Sequence, residues 1–177
     1  MKPLYVGATA DTDREALTAA REFLSAQFGL PVRETELPGV DFAFDPRRNQ
    51  YGSSAVLDML ARLCPPDAAK LVGLTERDLF IPVLTFVFGH AQLQGRVAVV
   101  SLARLRQEFY GLEPNRDIFL DRVRKEVLHE TGHTFGLVHC GDRSCAMALS
   151  TRVQQIDEKQ AAFCPACVRQ LEHGVTA

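Results

Sequence analysis

At 177 residues the chain can bury about 70% of the surface its unfolded form exposes, so it is read as one domain whose core does not depend on metal. Its 20 lysines and arginines against 22 aspartates and glutamates leave a net charge of −2, and no basic run is interleaved with aromatics, which argues against nucleic acid as a partner. No apolar run approaches the ~20 residues of a membrane span. Pro3 to Ala10 is mildly apolar and ends in Ala8-Thr9-Ala10, which resembles a signal-cleavage site. It follows a single lysine and is short and interrupted, so it is read as a first strand and the protein as cytoplasmic. In a reducing cytosol the five cysteines are expected as ligands or core residues rather than as disulfides.

In chain order, Leu4 to Ala8 suits a buried strand, and Asp11 or Thr12 is expected to cap the helix that follows. Leu17, Ala20, Phe23, Leu24 and Phe28 recur at helical steps until Gly29. Pro31 to Leu37 alternates weakly as a strand, Pro38 to Gly52 reads as loop, and Ser53 or Ser54 is expected to cap a second helix that Pro65 and Pro66 terminate. Lys70 to Leu74, Val83 to Phe88 and Val97 to Leu102 are further strand candidates. This order predicts an α/β fold with a mixed, mostly parallel sheet. After Pro114, Asn115 can cap a helix from about Arg116 to Phe135, whose Phe119, Val123 and Val127 form a stripe to bury against the sheet. Gly132 inside that helix costs about 1 kcal/mol relative to alanine, which predicts close packing against another segment.

The end of this helix carries His129-Glu130-x-x-His133-x-x-Gly136-x-x-His139. Residues four apart lie on one face, so His129 and His133 can address one ion. Gly136 can take the positive φ that ends a helix and let His139 swing back as a third ligand. Three protein ligands and one open position describe a catalytic zinc, and Glu130 is placed to take a proton from water in the open position. Cys140, Cys145, Cys164 and Cys167 form Cys-x4-Cys and Cys-x2-Cys pairs that suit a second, closed tetrahedral zinc, although a redox pair or core packing competes for the latter pair alone. His173 could replace one thiolate. Cys64 is expected as a buried or half-buried small residue, and His90, next to Gly89, as a solvated side chain.

His129 to His139, together with Cys140, Cys145, Met147, Cys164 and Cys167, resembles the extended pattern of the archaemetzincins, a family of metzincin peptidases. A weaker likeness runs through Leu74 to Leu79, Phe86 to Gly89 and Val100 to Leu105. The interval from Met147 to Cys164 is one residue shorter than the family pattern. The resemblance implies a metzincin-like catalytic domain over 1–177, with a sheet and helix lobe over 1–136 and a zinc-tied lobe over 137–177. It places Met147 in a turn beneath the catalytic zinc, and an edge strand for a peptide substrate near Phe86 to Gln92 or Val97 to Leu102. The expected activity is peptide-bond hydrolysis by zinc-activated water with Glu130 as general base. The alternative is a zinc-stabilised peptide-binding module whose peptidase site is latent or lost. Two zinc ions per chain and a peptide or protein substrate are expected, with no membrane partner.

Overall fold

The computed structural model describes residues 1–175, with side chains as far as Glu172. Strand β1 (Leu4–Ala8) leads through helix α1 (Arg14–Phe28) to β2 (Val32–Glu36). Two short strands, β3 (Phe44–Asp45) and β4 (Gln50–Gly52), precede α2 (Ser53–Leu63). Strands β5 (Lys70–Thr75), β6 (Leu79–Phe80), β7 (Gly89–Ala91) and β8 (Val97–Ser101) follow, then α3 (Arg116–Thr134), α4 (Val153–Glu158) and α5 (Pro165–Val175).

The main sheet has the order β2-β1-β5-β8-β7, parallel throughout except for β7, which runs antiparallel to β8 at the edge. Leu4, Val6, Val72, Leu74, Ala98 and Val100 face α1 and α3, while Leu71, Val97 and Val99 face α2. Strands covered on both faces need apolar residues at every position, which is why β8 reads as the unbroken run VAVVS, buried along its length. The expected mixed, mostly parallel sheet packed on helices is present, and Phe119, Val123 and Val127 are buried against it as the helical spacing implied. Among the described residues no helix is long and apolar enough to cross a membrane.

Several local expectations are corrected. Asp13 caps α1 by accepting from the Ala16 amide at 3.0 Å, because Thr9, Asp11 and Thr12 are spent on one another in the preceding turn. Neither Ser53 nor Ser54 caps α2: the N-cap is Gly52, and the Ser53 hydroxyl donates to the Phe80 carbonyl. Residues 83–86 are not strand. The Arg48 guanidinium takes the carbonyls of Pro82 and Leu84, and the Gln50 amide takes that of Thr85, so side chains replace the ladder that Val83 to Phe88 was expected to form. Of the two edge candidates, Val97 to Leu102 is interior, paired on both sides, and the edge falls at Gly89–Ala91 within Phe86 to Gln92. Part of the Pro38 to Gly52 loop forms a small three-stranded sheet with β6.

Asp13 also joins α1 to the start of α3, the two helices that share one face of the sheet. The Arg116 guanidinium grips its carboxylate at 2.7 and 2.9 Å, which holds the Asp13 carboxyl well below the usual carboxylate range. An Asp13→Ala variant should lose the cap and the ion pair together, about 1–2 kcal/mol by denaturant unfolding, with solvent at the half-exposed Arg116 keeping the pair's share small. Because the folded-state pKa is depressed, this stabilisation is complete above about pH 4 and shrinks as pH falls below it. The gap between variant and parent should therefore narrow on acidification, and a gap independent of pH would show that the charge of the Asp13 carboxylate contributes nothing to stability.

Candidate metal centres

The end of α3 is set by a pair of backbone bonds. The Leu137 amide donates to the Gly132 carbonyl and the Gly136 amide to that of His133, both at 3.0 Å, while Gly136 takes φ 96°. This is the glycine-terminated helix end that satisfies the last carbonyls, with Leu137 buried as its apolar contact. Lys70 on β5 closes the same end from the other side, its Nζ donating to the Thr134 carbonyl at 2.7 Å. The terminus is thereby held against the sheet, and the chain beyond it turns back toward the helix face that carries His129 and His133.

Three imidazoles converge there. One ring nitrogen from each of His129, His133 and His139 lies within 4.8 Å of the others. The Nδ1 atoms of His129 and His133 each sit 2.7 Å from a carbonyl, of Ala146 and Leu137 respectively. A carbonyl can only accept, so both Nδ1 atoms carry the proton and both Nε2 atoms present lone pairs. These two Nε2 atoms are 3.1 Å apart. Two lone pairs at that distance repel unless a positive charge lies between them, so the donor set fits a cation. Burial pushes the pKa of His129 well below its ordinary value and lowers those of His133 and His139, so that all three are neutral and free to ligate.

The Glu130 carboxyl is buried beside them, and desolvation, then the neighbouring Glu126, push its pKa well above the usual range, with Lys159 opposing. Its place depends on two glycines that lack side chains. A Cβ on Gly89 of the edge strand would stand 2.5 Å from Glu130 Oε1, so β7 lies directly against the carboxylate. A Cβ on Gly132 would stand 2.5 Å from Met147 Sδ, which meets the expectation of close packing. Met147, fully buried, packs against α3 at Gly132 and among Leu137, Cys145 and Cys167. A cavity of about 560 Å³ opens over the histidines between β7 and the segment Leu149–Thr151, with Phe86, Phe88, Val138 and Leu149 among its apolar walls.

The sulfurs of Cys140, Cys145, Cys164 and Cys167 also lie within 4.8 Å of one another, so the shorter interval before Cys164 does not part them. Cys140 and Cys164 approach to 3.7 Å and Cys145 and Cys167 to 3.8 Å, far beyond a disulfide's ~2.05 Å and close to the ~3.8 Å edge of a tetrahedron with 2.3 Å zinc–sulfur bonds. Amides of Met147 and Cys164 donate to Cys145 Sγ and that of Asp142 to Cys140 Sγ. The amide of Cys167 is the main influence that brings the Cys164 thiol down to about 7, toward the thiolate a metal requires. The His173 side chain lies outside the described residues. Cys64 is half-buried, as expected. His90 is not the solvated side chain expected: its Nδ1 meets the buried Ser53 hydroxyl at 2.9 Å on the α2 face, anchoring the edge strand. Lys70, Gly89 and Lys159 were not singled out for the site. For Gly89 a signal existed, since glycine inside a strand marks a close approach of another group.

The profile of peptidase family M54 matches residues 30–173. The archaemetzincin of Methanocaldococcus jannaschii is 39% identical over 155 residues, covering 85% of this chain and 84% of that protein. Among solved structures, the archaemetzincin of Methanopyrus kandleri superposes with a TM-score of 0.83 at 35% identity, over 99% of this chain and 97% of the other. A protein described as a zinc-dependent peptidase from Methanocorpusculum labreanum superposes with a TM-score of 0.85 at 31% identity, over 95% and 99%.

The contact between Gly89 and Glu130 can be tested directly. In a Gly89→Ala variant the flexible carboxylate should yield rather than the sheet, so the thermal midpoint should move by less than about 4 °C while a crystal structure shows the carboxylate displaced. Activity that depends on Glu130 should fall by ~10²-fold, the usual result of a 1 Å misplacement. Full activity in the variant would show that β7 does not position this group.

Proposed function

The chain belongs to peptidase family M54, the archaemetzincins, and from that premise we propose that it acts as a zinc metallopeptidase whose reacting centre is built by His129, Glu130, His133 and His139. The observation that carries the assignment is the opposed pair of Nε2 lone pairs 3.1 Å apart, with both Nδ1 protons committed to carbonyls. His129, His133 and His139 would hold the zinc ion, which when bound would supply a Lewis acid for a peptide carbonyl and for a water molecule. Glu130, adjacent in sequence to His129 and pressed against Gly89, takes the proton of the attacking water and returns it to the leaving amine. An extended peptide lies along β7, whose antiparallel pairing with β8 leaves it at the sheet edge beside the cavity.

We assign a second, structural zinc to Cys140, Cys145, Cys164 and Cys167, closed by four sulfurs and without room for substrate. His139 and Cys140 are neighbours in the chain, so this zinc steadies the residue that completes the catalytic centre. The proposed compartment is the cytoplasm, where such thiols stay reduced, and the proposed substrate is a peptide or protein rather than nucleic acid. Catalysis rather than mere binding is favoured by Glu130 itself, because a binding module has no use for a buried carboxylate beside its metal.

Two measurements test this reading. Glu130→Gln should retain both zinc ions and lower peptide hydrolysis by 10²–10⁴-fold, the range for loss of a general base; equal turnover at full zinc occupancy would remove Glu130 from the reaction. Under graded chelation, native mass spectrometry should pass through a one-zinc species whose remaining ion depends on the cysteines, since an open site yields its metal before a closed one. Persistence of the histidine-bound ion in that species would reverse the two assignments.

A further inference from the structure

Lys159 is an ammonium in an unfavourable place. It is 3% exposed and lines the catalytic cavity together with Glu126, itself 2% exposed and one helical turn before Glu130. Its Nζ donates to the Ala146 carbonyl at 3.2 Å and stands 3.6 Å from Glu126 Oε1. That second distance is too long for a hydrogen bond, and Glu126 Oε1 has no hydrogen-bond partner among the described residues. A buried ion pair repays its desolvation only with good geometry and satisfied lone pairs, so this pair does not owe its position to stability.

The position is nevertheless enforced from several directions. Arg122 grips the Asp157 carboxylate with two bonds of 2.7 Å, and Lys125 donates to the Asp157 carbonyl, which binds the end of α4 to α3. The Gln160 amide donates to the Ser144 carbonyl and the Ala146 amide to that of Ala162, tying the segment after Lys159 to the turn that holds Met147. Lys159 bridges helix and turn, and the atom it reaches in the turn is the Ala146 carbonyl, which also takes the Nδ1 proton of His129 at 2.7 Å. A carbonyl oxygen has two lone pairs, and occupying the second restrains rotation of the peptide plane that presents the first. Glu126 offsets the charge that the ammonium would otherwise set beside a dication.

We propose that Lys159, counterbalanced by Glu126, is a positioning residue for His129: its ammonium fixes the Ala146 carbonyl that holds the imidazole as the Nδ1–H tautomer with Nε2 directed at the metal. The inference rests on the zinc site proposed above. It extends outward by one step the rule that the partner of a ligand histidine orients the ligand.

Lys159→Met alone would strand a buried carboxylate and endanger folding, so the decisive protein is the Glu126→Leu/Lys159→Met double variant, in which apolar replacement of a buried pair leaves stability equal or raised. Zinc affinity would be measured by chelator competition, with the cysteine site as internal control, beside thermal midpoint, kcat and KM. The expected result is a 10–100-fold loss of affinity at the histidine site, an unchanged cysteine site, a midpoint no lower than the parent's when both proteins are compared with the histidine site empty, and a fall in kcat with KM held. Lys159→Arg should recover most of the affinity. Unchanged zinc affinity in a folded double variant would overturn the proposal, as would a rise in KM confined to peptides of one charge, which would make Lys159 a substrate contact. A parent protein that binds zinc at the histidines yet cleaves no peptide would defeat the peptidase reading while leaving the zinc comparison able to judge Lys159.

Discussion

The site depends on where two protons are. With the Nδ1 hydrogens of His129 and His133 given to the carbonyls of Ala146 and Leu137, the Nε2 atoms have no role left except as electron-pair donors, and the helix sets them 3.1 Å apart. The two carbonyls come from different parts of the chain. Leu137 is delivered by the helix's own glycine-terminated end, whereas Ala146 belongs to a turn well beyond it that must be brought under the helix by packing. The local half of the arrangement follows from the helix end, and the remote half requires the turn around Met147 to dock.

Docking is permitted by missing side chains. Gly132 lets Met147 lie against the helix backbone, and Gly89 lets the edge strand lie against the Glu130 carboxylate. Both lie within regular elements, Gly89 at the start of β7 and Gly132 inside α3, where glycine weakens the element it belongs to, so the local cost is offset by close approach of a neighbour. The sheet supplies the rigidity against which these contacts hold. Its inner parallel strands β1, β5 and β8 are covered on both faces, and the apolar clusters that cover them contain neither the three histidines nor the four clustered cysteines. A third cluster joins Leu137, Met147, Cys145 and Cys167, and there the proposed structural metal and the apolar packing share residues. The sheet has apolar burial enough to fold without the proposed metal, whereas the segment after α3 would draw on both sources.

Much of the fold was legible in the chain. The spacing from His129 to His139 placed three imidazoles on one helix end because helical periodicity and a glycine stop are local properties. Leu4 to Ala8, the stripe from Phe119 to Val127 and the Asn115 cap were readable for the same reason. Most of the errors fall where a distant group outbid a local preference, and one where a neighbouring turn did. Arg48 and Gln50 drew the carbonyls of residues 82, 84 and 85 out of the ladder, Phe80 and His90 took the Ser53 hydroxyl from the cap, and the turn at Thr9 to Thr12 moved the cap of α1 to Asp13.

What the sequence by itself determined is which atoms could act: the candidate ligands, the candidate base, and the cysteine pairs whose spacing suits a closed site. What only the tertiary structure decided is the state in which those atoms are held. The carbonyl that receives the His129 proton, the strand that presses on Glu130, the sulfurs that cross-pair between Cys140 and Cys164 and between Cys145 and Cys167, and the ammonium of Lys159 beside Ala146 all join residues distant in the chain. Periodicity and spacing report on neighbours a few residues apart, whereas tautomer, desolvation and close approach are set by whichever groups the packed core brings within a few ångströms.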